Sequence, residues 1–221
     1  LKSQLNPHFL FNTLNSIYAL IAVSPDKAQE SVHELSRMLR YVLYEDAPQV
    51  PLQRELDFVD NYIKLMQLRL GPSTRFECHI DAGSYSKATI AQLIFIPLIE
   101  NAFKYGNTGE STAFIHISIQ ASDGKVTCVT ANSFRPLAGD IPNGDRDDKH
   151  TGNLPGNLPG NLPENLPGKH SGNSGENVSG GIGIANLRRR LQLIYGDKAT
   201  LDILRKDGVF TATLTVPLGA I

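Results

Sequence analysis

The sequence contains little cysteine and no excess of charge of either sign. Its two cysteines, Cys78 and Cys128, lie far apart in the 221 residues and form no CxxC pattern. This scarcity argues against a disulfide framework and a cysteine-ligated zinc site, and a reducing compartment is the simplest interpretation. Lys and Arg number 21 and Asp and Glu number 22, so no global charge attracts nucleic acid or an anionic membrane. Any anion-binding site must therefore be local.

Long hydrophobic runs are also missing. No apolar stretch approaches the roughly 20 residues that a membrane-spanning helix needs, and no signal peptide is visible. The sequence begins at Leu1, without an initiator Met and in the middle of a pattern. We therefore expect a cytoplasmic fragment of a longer protein, in which any membrane segment lies upstream.

Helical periodicity dominates residues 1–71. Apolar residues recur there every three or four positions, which is the spacing of one helix face. Ser24 and Pro25 suit the N-cap and first residue of a helix, and Gly71 and Pro72 suit a helix end. The three apolar stripes are Leu10, Leu14, Ile17 and Ile21; Ala28, Val32, Leu35, Leu39 and Val42; and, in a helix from Leu52 to Leu70, Leu56, Val59, Ile63, Met66 and Leu70.

Residues 72–221 mix two periodicities. Strand-like alternation occurs in one single segment and in two hairpins with Asp-Gly turns, and helical spacing occurs between them. This order predicts a mixed or antiparallel sheet with helices on one face, an α/β sandwich, and an α+β class for the whole chain. The predicted strands are Arg75–Ile80, Phe114–Gln120, Lys125–Asn132, Ala199–Arg205 and Val209–Pro217, and the predicted helices are Ala88–Tyr105, kinked or broken at Pro97, and Ile184–Tyr195.

The segment 135–179 has a different composition. It repeats Asn-Leu-Pro-Gly at 153–156, 157–160 and 165–168, with Asn-Leu-Pro-Glu at 161–164. Gly, Pro and Asn cannot bury a core, so we predict a long loop that is either disordered or functional.

Two polar motifs bracket this loop. In PLIENAFKYG, the residues Glu100, Asn101 and Lys104 share one helix face, because they are spaced by three and four positions. An Asn101 oxygen can bind Mg²⁺, which keeps waters and phosphates as its other ligands, and Lys104 can meet phosphate charge. Taken alone, an E-N-x-x-K pattern is also typical of a solvent-exposed helix face.

The second motif, SGGIGIANLRRRL, places Gly180, Gly181 and Gly183 directly before a helix. Glycines let the backbone approach a phosphate, and a helix N-terminus offers free N–H groups. A flexible hinge at the end of the loop is the alternative interpretation.

The order of these elements resembles the ATP-binding domain of the GHKL superfamily, the Bergerat fold. Together with LKSQLNPHFLFNTLNSI and VPLQRELDFVDNYIKLMQLRLG, the two motifs resemble sensor histidine kinases whose acceptor histidine lies in an N-P-H-F-L-F-N box. Such kinases are typical partners of response regulators with a LytTR DNA-binding domain. The resemblance covers nearly the whole chain except the repeat loop.

The resemblance implies a phospho-acceptor and dimerisation region in residues 1–71 and an ATP-binding domain in 72–221, with 135–179 as the ATP lid. It implies ATP-dependent autophosphorylation of a homodimer and transfer to a response-regulator aspartate, in the cytoplasmic part of an inner-membrane sensor without direct nucleic-acid contact. ATP and Mg²⁺ are the implied cofactors. The implied catalytic residues are His8, Asn12 and Glu100, and the implied nucleotide-binding residues are Asn101 (also the Mg²⁺ ligand), Lys104, Asn132, Gly181, Gly183 and Asn186.

The residues around His8 suit the acceptor role that the resemblance implies. Asn6 as N-cap and Pro7 as first-turn residue place His8 in the first turn of a helix, where an added phosphate is favoured; a longer helix kinked at Pro7 is the alternative. A neutral imidazole nitrogen is the nucleophile needed for in-line attack on a phosphoryl group. Asn12 lies one turn further on the same face, where it could position a water or the transferred group.

Two positions depart from the family pattern. Phe9 follows the histidine where many histidine kinases carry an acidic base. The stretch VTANSFRP replaces the adenine-reading D-x-G-x-G, and Asn132 is the residue best able to pair with a purine edge. The alternative function is therefore a degenerate kinase that acts as a dimeric scaffold with weak or no ATP binding. A GHKL ATPase of the chaperone or topoisomerase kind would leave the N-P-H-F-L-F-N stretch unexplained.

Overall fold

The computed structural model describes residues 7–44, 47–107, 112–134 and 182–219. Within them the chain forms five α-helices and seven β-strands. The loop predicted at 135–179 and the predicted site residue Gly181 lie outside the described residues. The helices are α1 (Pro7–Val23), α2 (Pro25–Tyr44), α3 (Leu52–Gln67), α4 (Ile96–Gly106) and α5 (Ile182–Tyr195). The strands are β1 (Gln49–Pro51), β2 (Arg75–Asp81), β3 (Thr89–Ala91), β4 (Phe114–Ser122), β5 (Lys125–Ser133), β6 (Thr200–Lys206) and β7 (Val209–Pro217).

Helix α2 begins at a proline, as predicted, whereas the predicted N-cap of α1, Asn6, lies outside the described residues, so the start of α1 stays a prediction. Helix α2 starts at Pro25, and Ser24 O accepts the first helical hydrogen bond from Ala28 N at 3.0 Å. The predicted stripe of α1 is only partly buried. Its buried residues are Phe9, Thr13 and Ile17, whereas Leu14 and Ile21 remain 48% and 55% exposed.

Helix α3 ends earlier than the predicted Leu70. Its last helical residue is Gln67, after which Arg69 N donates to Met66 O and Leu70 N donates to Gln67 O. Both bonds span three residues, so the chain leaves the helix through a tighter turn before Gly71 and Pro72. The predicted division of the chain after residue 71 stays a prediction.

The predicted helix Ala88–Tyr105 is wrong in its first half. Thr89–Ala91 forms strand β3, which pairs antiparallel with β1, and helix α4 begins at Ile96 with Pro97 in its first turn. A proline has no N–H to donate, so it is tolerated at a helix start but not in its interior. Between strand and helix, Leu93 has a φ of 56°, a left-handed conformation that turns the chain.

The main sheet is mixed and has the order β2-β4-β5-β7-β6. Strands β2 and β4 run parallel, and all other neighbours are antiparallel. Alternate residues of β4, β5 and β7 are buried in a core shared with the helices, which confirms the predicted α+β class. Both predicted Asp-Gly hairpin turns are present, because Asp123, Gly124, Asp207 and Gly208 all have φ between 50° and 72°. No helix among the described residues is long and apolar enough to cross a membrane.

Gly106 ends α4 where no larger residue fits. A Cβ at this position would lie 2.6 Å from Ile115 Cγ1 and 2.9 Å from Asn132 Cβ. We predict that Gly106→Ala lowers the free energy of unfolding by about 1–3 kcal/mol, because strands β4 and β5 must move to admit the methyl group. Urea denaturation measures this loss. Gly183→Ala, whose added Cβ has nothing within 4 Å, is the matched control, and equal midpoints for the two variants would contradict the steric argument.

Candidate functional site

A cavity of about 690 Å³ lies between the first turn of α1, the end of α3, helix α4 and the first turn of α5. Five of the sequence-predicted site residues line it, although they come from three distant parts of the chain. The lining residues are His8, Phe9, Tyr62, Met66, Arg69, Pro97, Glu100, Asn101, Lys104, Tyr105, Gly183 and Ile184.

His8 lies in the first turn of α1 and is exposed. Asn12 is one turn further along, and its Nδ2 is 3.1 Å from each of the two imidazole nitrogens. An amide N–H at this position can donate to whichever ring nitrogen carries the lone pair. Asn12 is thus within hydrogen-bond distance of the histidine ring, but it does not line the cavity itself, and its predicted role in positioning a water or the transferred group stays a prediction.

Phe9, the residue that departs from the family pattern, anchors the start of α1. Its buried ring stacks on the ring of Tyr62 in α3, with 4.7 Å between the centroids. The Tyr62 hydroxyl in turn donates a hydrogen bond of 2.9 Å to Glu100 Oε1 in α4. Phe9 and Tyr62 thus connect the His8 turn to the polar face of α4. No sequence motif marks Tyr62, because its position on an apolar helix is typical of an ordinary core residue.

Burial is the largest influence on the pKa values of Tyr62 and Glu100. It raises the pKa of Glu100, and the hydrogen bond from Tyr62 opposes this rise. Burial and then the charge of Glu100 raise the pKa of Tyr62 well above its ordinary value. Tyr62 is therefore the donor and Glu100 the acceptor at neutral pH.

Two cations also line this cavity. Lys104 is exposed, and its Nζ lies 5.0 Å from the centroid of the Tyr105 ring. Arg69, which the sequence analysis did not single out, lines the cavity from the turn after α3. Positive charge from two elements beside an amide side chain, Asn101, suits phosphate groups with a bound cation.

Asn132 is fully buried in β5, beside the end of α4, and does not line the cavity. Its Nδ2 donates to Ser133 O at 2.9 Å, whereas its Oδ1 has no hydrogen-bond partner among the described residues. A buried acceptor without a partner is costly. The other predicted nucleotide-binding residue outside the cavity, Asn186, is exposed on α5.

No group of three or more His, Cys, Asp or Glu side chains within the described ranges could hold a metal ion. A magnesium ion held by one amide oxygen, waters and phosphates does not need such a group. Asn101 Oδ1 is the ligand that the cavity offers, and the open space around Gly183 leaves room for phosphates near the backbone. The side chains present therefore fit a magnesium–nucleotide complex.

Two of the solved structures to which this chain is similar are histidine kinases. The catalytic domain of histidine kinase ThkA is 13% identical with a TM-score of 0.40, and the alignment covers 78% of this chain and 97% of that chain. The histidine kinase domain of the EL346 blue-light activated histidine kinase of Erythrobacter litoralis is 12% identical with a TM-score of 0.47, over 91% of this chain and 80% of that chain.

Sequence comparison gives closer matches. Residues 1–74 match the family model described as Histidine kinase. The chain is 38% identical over 112 residues to the sensor protein kinase HptS of Staphylococcus aureus strain USA300, and the match covers 50% of this chain and 21% of HptS. The chain thus spans about a fifth of the length of the curated relatives that it matches. The family model is thus that of histidine kinases, and the curated relatives matched are sensor protein kinases.

Proposed function

We propose that this chain is the kinase part of a two-component sensor that binds Mg·ATP, phosphorylates itself on His8 and passes the phosphoryl group to an aspartate of a response regulator. The observation that supports this proposal is the shared cavity, which is lined by His8 together with Glu100, Asn101 and Lys104. Of the regulator types, the resemblance favours one with a LytTR DNA-binding domain. In the complete protein, we place the chain on the cytoplasmic side of an inner membrane.

His8 is the nucleophile in this proposal. A lone pair of its imidazole forms the new N–P bond, the bond between the γ-phosphorus and the bridging oxygen breaks, and ADP leaves. Asn12 holds the ring so that one nitrogen faces the cavity. Lys104 and Arg69 offset the charge of the phosphates, and Asn101 would hold Mg²⁺, which spreads the developing negative charge when it is bound.

Glu100 is the proposed acceptor of the imidazole proton, because Phe9 cannot serve as a base. Among the described residues that line the cavity, it is the only one with a carboxyl group. Tyr62 fixes the orientation of this carboxyl group. A raised pKa makes Glu100 a better base than an exposed glutamate, since its conjugate acid holds the proton more tightly.

The apolar surface of α1 and α2 supports a homodimer. Large hydrophobic side chains are exposed there, and an apolar groove of about 510 Å³ runs between the two helices. A second copy of the chain would cover this surface, as helix pairs do in four-helix bundles. The exposed residues are Leu14, Tyr18, Ile21, Val23 and Val32.

One observation favours the alternative function, a dimeric scaffold with little ATP affinity. The Asn132 amide donor is already engaged by Ser133 O, so only its oxygen is left to contact a base. Adenine recognition through this residue would rest on one uncharged hydrogen bond, which is weaker than a charge-assisted one.

Titration calorimetry of the chain with ATP, with and without Mg²⁺, separates these two functions. We expect saturable binding that requires Mg²⁺, because Asn101 is the proposed ligand of the ion. Absence of heat at millimolar ATP, from a sample shown to be folded, would favour the scaffold and leave His8 without its phosphoryl donor.

A further inference from the structure

Glu55 is a buried carboxyl group that the proposed reaction does not use. It lies on α3 with no exposed surface. Its Oε2 accepts two hydrogen bonds, one of 2.6 Å from the Tyr41 hydroxyl of α2 and one of 2.9 Å from Leu93 N. One side chain of α3 is thus hydrogen-bonded both to helix α2 and to the segment that precedes α4.

Helix α5 holds the other side of the same segment. Arg190 donates to the carbonyl oxygens of Gln92 and Leu93, and the Tyr195 hydroxyl accepts a hydrogen bond of 2.8 Å from Ala91 N. Glu55 and Arg190 therefore bind the two ends of one residue, Leu93. That residue has a φ of 56°, a strained conformation that persists only where the surrounding contacts impose it.

The contacts of Glu55 and Arg190 with Leu93 are connected to the two helices that form walls of the candidate site, α4 and α5. Leu93 precedes the start of α4 by three residues, and α4 carries Glu100, Asn101 and Lys104. Helix α5, which contributes Arg190, brings Gly183 to the same cavity. A displacement of Leu93 would therefore move α4 relative to α5 and change the spacing of the groups that are proposed to bind Mg·ATP.

We propose that Glu55 is a positioning residue that fixes the two walls of the nucleotide site, and that the Tyr41 hydroxyl couples the position of α2 to it. This inference rests on the proposed function. Because α2 follows directly from the helix that carries His8, the coupling joins the state of the acceptor helices to the geometry of the site.

The charge of Glu55 changes near neutral pH. Burial raises its pKa to about 7, opposed by the hydrogen bonds from Tyr41 and Leu93 and by the charge of Arg190. The titratable groups that face it are Tyr41 from α2 and Arg190 and Tyr195 from α5; the segment before α4 contributes only backbone N–H groups. Its Oε1 has no partner within the described part of the chain, which suits a proton at low pH. Ionisation strengthens the bonds to Tyr41 and Leu93 and the attraction to Arg190, so the walls are held more firmly above pH 7.

The test measures the ATP dissociation constant and the rate of phosphohistidine formation at saturating ATP, from pH 6 to pH 8.5. For the wild type we expect ATP binding to tighten as pH rises through about 7. Glu55→Gln should weaken binding at pH 8 by about tenfold and remove that part of the pH dependence. Ionisation of the ATP phosphates is common to both proteins, so their difference reports on Glu55.

Tyr41→Phe tests the coupling of α2 to Glu55 separately from ATP binding. It removes one hydroxyl group and keeps the ring stacked on Phe58. We expect a phosphorylation rate lower by about fivefold with ATP affinity changed by less than about twofold. Tyr44→Phe, on an exposed ring of the same helix, is the matched control. If Tyr41→Phe and Tyr44→Phe behave alike, α2 is not coupled through this hydroxyl.

Stability provides a readout that needs no ATP. The folded protein keeps the Glu55 proton up to about pH 7, whereas an unfolded glutamate loses it near pH 4.5, so stability should fall as pH rises between these values and then level off. Glu55→Gln should remove this part of the decrease in stability.

A wild type that binds no ATP would overturn the proposed function and the positioning role with it. A wild type that binds and phosphorylates, with a pH dependence that Glu55→Gln retains, would overturn the positioning role alone.

Discussion

His8→Ala is expected to abolish an acid-labile, base-stable phosphoryl adduct while the ATP dissociation constant changes by less than about twofold. The imidazole is the only group of this side chain that can form an N–P bond, so its loss removes the acceptor entirely. The proposed nucleotide-binding groups that line the cavity lie on α4, on α5 and in the turn after α3 rather than on α1, so they remain in place. Labelling with γ-³²P-ATP, followed by acid and base treatment, measures the adduct, and calorimetry measures the affinity.

The folded state should survive this substitution. His8 is exposed, and the neighbouring Phe9 supplies the buried contact with Tyr62. His79→Ala, which removes an exposed histidine from β2, is the matched control and should keep full labelling. Label that persists in His8→Ala would remove His8 from the mechanism, and label that disappears from both variants would point to a general loss of activity.

Local chemistry made some elements predictable from the sequence. The two Asp-Gly pairs require positive φ at both turn positions, and they give hairpins in the structure as predicted. The proline at position 25 lacks the N–H that a first helical turn leaves unpaired, and helix α2 begins there. These signals depend on one or two residues and not on the rest of the fold, which is why they can be recognised without it.

Where the predicted elements differ from the structure, tertiary packing determines which element forms. The run from Ile90 to Ile96 is almost wholly buried, and an apolar run of this length suits a buried strand as well as a helix. Its pairing with β1, some 40 residues earlier in the chain, made Thr89–Ala91 a strand. The contacts of Glu55 with Tyr41 and of Tyr62 with Glu100 also join different helices. No local pattern encodes such contacts.

In the candidate site too, some features follow from local sequence and others depend on tertiary packing. Motif spacing predicted that Glu100, Asn101 and Lys104 share a helix face, and His8 and Gly183 line the same cavity as these residues. The sequence did not indicate that Phe9 replaces an acidic neighbour of the histidine with a stacking contact, because this depends on Tyr62 of another helix. The catalytic and binding roles of all these residues stay predictions.

Asn101→Ala is expected to remove the magnesium dependence of ATP binding, so that titrations with and without Mg²⁺ coincide. Asn101 is half-buried on α4 and lines the cavity beside Lys104. It offers an amide oxygen to an ion that takes few protein ligands, so its loss cannot be compensated by a neighbouring side chain of the same kind. We expect an affinity for Mg·ATP lower by about 10–100-fold, in the range found when a group that supports a bound metal is removed.

Asn61→Ala is the matched control for this variant, since Asn61 lies on α3 and lines a different cavity, between α2 and α3. It should retain the wild-type difference between titrations with and without Mg²⁺. If Asn101→Ala also retains that difference, the ion is held elsewhere, and the polar face of α4 acts on the phosphates through Lys104 alone. If Asn101→Ala loses the difference and still forms the His8 adduct at high ATP, then Asn101 contributes to binding while the cavity retains what phosphoryl transfer requires.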